Sequence, residues 1–259
     1  MKTLTITAVL AAGVAFAGAA QAQTVAALVG DDTLAIVDAG KRKVERTVKV
    51  MGVSGRLVGI DVRPSDGMLY GLAEDGTVVT IDPMSGKATQ KSKLETMLAP
   101  GTMATVDFNP AADRLRVIGS DGTNLRANVD DGKVTKDGNL KFAETDTMKG
   151  KTPKVIAGAY TNSVKGAKET VLYDVDAAGA LLRQVPPNDG VLNTIGMLGV
   201  PTERVAFDIA PDGSGGNIAY LMAGMTLYKV DLTSGKATEA GRIEGATDVR
   251  DIAVMPSAM

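Results

Sequence analysis

Three features of this 259-residue chain predict an all-β fold, a five-bladed β-propeller closed by strands from both termini. The first is a repeat. "GIDVRP" (Gly59 to Pro64), "TVDFNP" (Thr105 to Pro110), "AFDIAP" (Ala206 to Pro211) and "DIAVMP" (Asp251 to Pro256) share one pattern, and "GAYTN" (Gly158 to Asn162) is a degenerate copy with Asn162 at the proline position. The second is what fills each interval of 45 to 52 residues: short apolar strands separated by glycine turns, the signature of a propeller blade. The third lies at the ends. The last copy has no strands after it, while the N-terminal segment supplies three strands with no inner strand before them. Joined, the two ends make one blade and remove a free sheet edge. A β-sandwich does not predict the spacing, and an open solenoid would not split a repeat between the termini.

In chain order, "MKTLTITAVLAAGVAFAGAAQA" places Lys2 before an apolar run that ends in Ala20-Gln21-Ala22, the order of a secretory signal cleaved after Ala22. The run is shorter than the roughly 20 residues of a bilayer span. Residues 23–259 are then a single propeller domain, exported to the periplasm or secreted and not inserted in the membrane. "VAALVG", "TLAIVD" and "KVERTVKV" are the three strands that wait for an inner partner. Within blades, "VVTIDPMSGKAT", "LYDVDAAGALL" and "LYKVDLTSGKAT" each end a strand in Asp before a glycine turn, where the carboxylate caps backbone N–H groups. Only "KSKLETML" (Lys91 to Leu98) has helical composition, and it falls between blades.

Composition narrows the chemistry. With no His and no Cys, the chain lacks Ser–His and Cys–His nucleophile pairs, ordinary zinc, copper and haem ligands, and disulfides. What remains is carboxylate, Lys or Tyr chemistry, or a hard cation such as calcium held by oxygen. No Trp and 3% aromatics make it a poor surface for stacking sugars or bases. A net charge of −2 argues against nucleic acid as partner. A monomer is expected.

Two groups of residues invite a functional reading. Asp61, Asp107 and Asp208 occupy one position of the repeat, filled by Ala159 and Ala253 in the other copies. Inner strands line a propeller's channel, so these carboxylates could face a common axis and hold calcium, with at least one pKa raised by the crowding. They could equally shape the turn that leaves each strand. The hairpin "DRLRVIGSDGTNLRANVD" (Asp113 to Asp130) carries Arg114 and Arg116, then Asn124, Arg126 and Asn128, where blade one has Met68, Tyr70 and Leu72. An odd turn sets Arg116 opposite Arg126, a repulsive pair unless an anion lies between. That anion is either internal, with Asp107 and Asp113 nearest in sequence, or a bound carboxylate or phosphate. The loop "PPNDGVLNTIG" (Pro186 to Gly196) reads as a stiff turn closing blade three, and "TNSVKGAKET" (Thr161 to Thr170) as a solvated excursion.

"LVGIDVRPSDGMLYGLAEDGTVVTIDPMSGKAT", "VDFNPAADRLRVIGSDGTNLRANVDDG", "AYTN" and "PPNDGVLNTIG" resemble the exported bacterial family catalogued as domain of unknown function 4394, from about Leu57 to Ile243. The resemblance implies a propeller-like exported domain and carries no activity. The expected function is therefore a non-catalytic binding or interaction module of the cell envelope, without a required cofactor. It would bind a small anionic ligand or an envelope protein, through Arg114, Arg116, Arg126, Asn124 and Asn128. The alternative is a calcium-dependent hydrolase, lactonase- or glycosidase-like, working through Asp61, Asp107 and Asp208. A purely structural envelope protein is a third reading.

Overall fold

The structure, a computed structural model, describes residues 23–256; the expected signal segment 1–22 lies outside the described residues. Five small, mainly antiparallel sheets stand in a ring. Blade one is β4 (Leu57–Val62), β5 (Leu69–Ala73), β6 (Thr77–Ile81) and β7 (Ala88–Lys93). Blade two is β8 (Ala104–Asn109), β9 (Arg114–Gly119), β10 (Asn124–Ala127) and β11 (Val134–Lys136). Blade three is β13 (Val155–Tyr160), β14 (Leu172–Asp176), β15 (Ala180–Gln184) and β16 (Val191–Met197), and blade four is β17 (Val205–Pro211), β18 (Asn217–Ala223), β19 (Thr226–Val230) and β20 (Ala237–Arg242). Blade five joins the chain's two ends, with β21 (Val249–Val254) beside β1 (Thr24–Val29), then β2 (Thr33–Asp38) and β3 (Lys43–Lys49). The closing pair is antiparallel, Val25 opposite Val254 and Ala27 opposite Ile252.

Burial follows position in the blade. Every residue of β4 is buried, whereas outer β3 and β7, rich in Lys, Arg, Gln and Thr, are mostly exposed. Both faces of a blade meet a neighbour, so the core is divided among the seams. Between blades one and two Tyr70 meets Phe108 edge-on, ring centres 5.2 Å apart. Between blades four and five Val25, Ala27, Ala35, Val37 and Ile252 meet Ala206, Tyr220 and Met222. The Asp-to-Gly turns behave as their chemistry demands: Asp82 accepts the N–H groups of Met84 and Ser85. Gly86 closes that turn at φ 72°, where a Cβ would sit 2.1 Å from the Lys49 carbonyl oxygen.

Two local expectations are corrected. Lys91 to Leu98 forms no helix: Ala88–Lys93 pairs as the outer strand of blade one, and a three-residue 3-10 turn (Pro187–Asp189) is the helical element among the described residues. Blade three also gains a fifth strand, β12 (Lys141–Phe142), which crosses from blade two and lies parallel to β16. The degenerate repeat has a backbone cause. Asn162 stands at φ 59°, which proline cannot adopt. Its N–H donates to Asn217 Oδ1 of blade four, and Asn217 Nδ2 donates back to Asn162 Oδ1.

Candidate functional site

The inner strands of blades one, two and four present their repeat aspartate sideways, toward the next blade. Asp61 Oδ1 accepts the N–H of Val62, the following residue, and Oδ2 accepts that of Phe108 in blade two. Asp208 repeats this with Ile209 and with Val254 of blade five. Asp107 Oδ1 accepts from Tyr160 of blade three, and its Oδ2 receives no hydrogen bond among the described residues. Asp251, two residues earlier in its copy, takes the N–H of Ile252 and of Ile60 in blade one. Four of the five seams are thus stitched by a carboxylate; the fifth, where Ala159 stands, carries the Asn162–Asn217 pair instead. Each acid reaches the next blade, and Asp61, Asp208 and Asp251 also hold the N–H of the residue that follows them.

The same arrangement crowds the acids together. One carboxylate oxygen from each of Asp61, Asp107 and Asp208 lies within 4.8 Å of the others. All three side chains are buried. Burial, then the charge of Asp208, lifts Asp61 well above the ordinary carboxylate range; burial, then Asp61 and Asp208, does the same to Asp107. Burial and then the charge of Asp208 raise Asp251, and burial pushes Asp208 up to about 6 against its backbone donors. Ionising one of these acids therefore opposes ionising the next, and a cation among the oxygens would relieve that repulsion.

Above this floor the channel widens into a cavity of about 570 Å³. Pro64, Pro211 and Pro256, three of the four repeat prolines, stand around it, and Asp61 and Asp208 reach it from below. Ile218, Tyr220 and Val254 make its wall, with Ser163, Val164 and Lys165 on one side. The supposed solvated excursion thus contributes to the funnel.

The arginine hairpin adopts the register that places Arg116 opposite Arg126. Arg116 is 2% exposed, the bulkiest fully buried side chain among the described residues. Its Nη1 donates to Asp137 Oδ2 at 2.7 Å and to Asn124 Oδ1, its Nη2 to Asn188 Oδ1, and its Nε to Tyr160 Oη. Arg126 donates to both oxygens of Asp137 from Nε and Nη2. Burial raises the Asp137 carboxyl, but hydrogen bonds from the two arginines outweigh it and hold it below its usual range. The anion between the arginines is therefore Asp137. Asp107 stands opposite Arg116 in register yet serves Tyr160 N–H, and Asp113 serves Arg63, which also takes Asp130. Asn124 is wholly buried and donates to the Gly138 and Pro187 carbonyls. Arg114 turns onto the Asp113 carbonyl, and Asn128 caps the turn at Asp130, so these two stand apart from the buried group. Of the segment Pro186–Gly196, residues 186–190 form the turn and Val191 onward is β16 of blade three; the turn also delivers Asn188 to Arg116.

Asp251, Asp137 and Ser163–Lys165 are participants the sequence reading missed. Asp251 carried a signal, an acid on the inner strand two residues out of frame. Asp137 carried none, since it follows β11 in an irregular crossing.

A family model described as a domain of unknown function (DUF4394) matches residues 33–253. A search of curated proteins returns no match. Among solved structures, a protein of unknown function from Bacteroides thetaiotaomicron is 17% identical at a TM-score of 0.51, over 91% of this chain and 65% of that one. A protein of unknown function from Bacteroides caccae is 9% identical at 0.48, over 91% and 100%. The computationally designed Ika8 protein is 15% identical at 0.40, over 85% and 59%. The chain thus spans less than two thirds of the first and third of these, and the first likeness bears on fold alone.

Proposed function

The chain belongs to the DUF4394 family, and we propose that it is an exported, non-catalytic binding module whose central funnel takes a small ligand or a partner's side chain through a hard divalent cation, calcium first. The observation that supports this is the convergence of Asp61, Asp107 and Asp208 beneath an open cavity. Oxygens bound to one calcium ion at 2.3–2.6 Å lie no more than about 5 Å apart, and the 4.8 Å limit of these three meets that condition. Calcium takes six to eight oxygens, so three carboxylates leave positions for water and for ligand oxygens entering from the funnel. The second oxygen of Asp107, in a side chain 3% exposed, has no hydrogen bond to give up. Export rests on residues 1–22.

Thermal unfolding with calcium, magnesium or a chelator tests the reading. Calcium at 100 times its Kd adds about 2.7 kcal/mol, and Asp107→Asn, which keeps the acceptor for Tyr160 N–H, abolishes the gain. Equal stability in calcium and in chelator would remove the proposal. One observation favours a hydrolase second: Asp208, pushed up to about 6 beside other acids, suits proton transfer near neutrality. That reading requires calcium-dependent turnover of a lactone or glycoside, lost in Asp208→Asn.

A further inference from the structure

At the opposite end of the channel, the N-terminal ends of the inner strands surround a second cavity of about 310 Å³. Three arginines line it. Arg56 immediately precedes β4, Arg204 immediately precedes β17, and Arg250 is the second residue of β21. These strands belong to blades four, five and one, which follow one another around the ring, so the cations form one arc of the mouth. We propose that this mouth is an anion site for a small molecule bearing a carboxylate or phosphate, gripped by Arg56, Arg204 and Arg250.

The argument rests on how these guanidiniums differ from the others in the molecule. Arg63 lies between Asp113 and Asp130, and Arg116 is enclosed by four acceptor side chains. Among the described residues, the three mouth arginines are each engaged through a single nitrogen. Arg56 Nε meets Glu74 at 3.0 Å, and Arg204 Nη1 meets Asp248. Arg250 Nη1 donates to the carbonyls of Gly30 and Leu57 and approaches Asp31. Glu74, Asp248 and Asp31 have side chains 51%, 48% and 69% exposed, so the balancing charge sits largely in solvent, where it is screened. Glu203 also lines the cavity and sets a limit on how much negative charge the site accepts.

Within the cavity the arginines act on one another. Burial first, then the charge of Arg56, holds Arg250 below its usual range, and Arg204 adds to the effect. Like charges held together by the fold favour an anion placed among them, and the unused nitrogens of planar guanidiniums suit the paired oxygens of carboxylate or phosphate. The site shares no residue with the funnel and does not depend on it.

Calorimetric titration of the protein with inorganic phosphate and with succinate tests this, at constant ionic strength and without divalent cations. Arg204→Gln and Arg56→Gln serve as the variants, because their side chains are 64% and 37% exposed and belong to none of the buried clusters. We expect saturable binding of at least one probe, weakened about tenfold to a hundredfold in each variant. Lys133→Gln, which removes one exposed charge elsewhere, keeps the wild-type affinity. No saturable binding of either probe overturns the proposal. So does binding that survives both variants, and loss in Arg126→Gln instead would return the anion to the blade-two hairpin.

Discussion

Between blades two and three the largest buried side chain is Arg116, held by Asp137, Asn124, Asn188 and Tyr160, whereas between blades four and five the contact is made by Val25, Ala27, Val37, Met222 and Ile252. Both seams are buried, and both join neighbouring sheets of the same ring. The apolar seam draws on area removed from water, so its strength is spread over many side chains and degrades gradually. The polar seam depends on every member being present, because a buried charge left unpaired costs far more than its pairing contributes. It also includes Asp174, wholly buried with neither oxygen hydrogen-bonded among the described residues. The lesson is that one architecture tolerates two modes of assembly, and they should fail differently.

The largest failure is expected at Arg116. Arg116→Ala leaves Asp137 with Arg126 alone and takes the donor from Asn124 Oδ1 and Asn188 Oδ1, and chemical denaturation should show a loss of about 3–5 kcal/mol. Replacing both partners, Arg116→Met with Asp137→Leu, should recover only part of it, because Asn124, Asn188 and Arg126 still lose a partner. A double variant as unstable as the single one would mean that the seam needs the polar network for its shape.

Next comes pH. Burial pushes Asp174 up to about 8, against the ordinary 3.8 of an unfolded chain. Between those values the folded state holds a proton that the unfolded state has released. The contribution of Asp174 to stability is therefore fully present below pH about 4 and declines as pH rises toward about 8, by on the order of a few kcal/mol. Asp208 acts in the same direction up to about 6. Asp174→Asn should flatten the upper part of a stability-against-pH curve, and a curve unchanged by it would contradict this account.

The smallest effect belongs to the apolar seam. Ile252→Val removes one methylene-sized group from a side chain 2% exposed and should cost about 1 kcal/mol with no pH dependence. A cost comparable to that of Arg116→Ala would erase the distinction between the seams.

The repeat made the ring legible because inner strands are buried on both faces and tolerate few residue types, so position and proline recur. It also made the convergence of Asp61, Asp107 and Asp208 legible, since equal register on neighbouring inner strands brings side chains to one level of the channel. Asp251 was hidden because it makes the same stitch two residues out of frame. Asp137 was hidden because it meets Arg116 only after the crossing strand β12 folds back on blade three. Arg56, Arg204 and Arg250 stand at three different distances from their repeat prolines, so no shared register announces the mouth they share.

Strand β21 pairs with β1 across nearly the whole length of the chain. Contacts so distant in sequence carry a large loop-closure cost and form late. A chain emerging from synthesis can build blades one to four in order, each from a continuous segment. The ring itself is an event of completion: until β21 arrives, β1 keeps an unpaired edge and the channel is an open cleft. Folding of this protein should therefore end in one slow locking step, and the stitches from Asp208 to Val254 and from Asp251 to Ile60 can only form in that step.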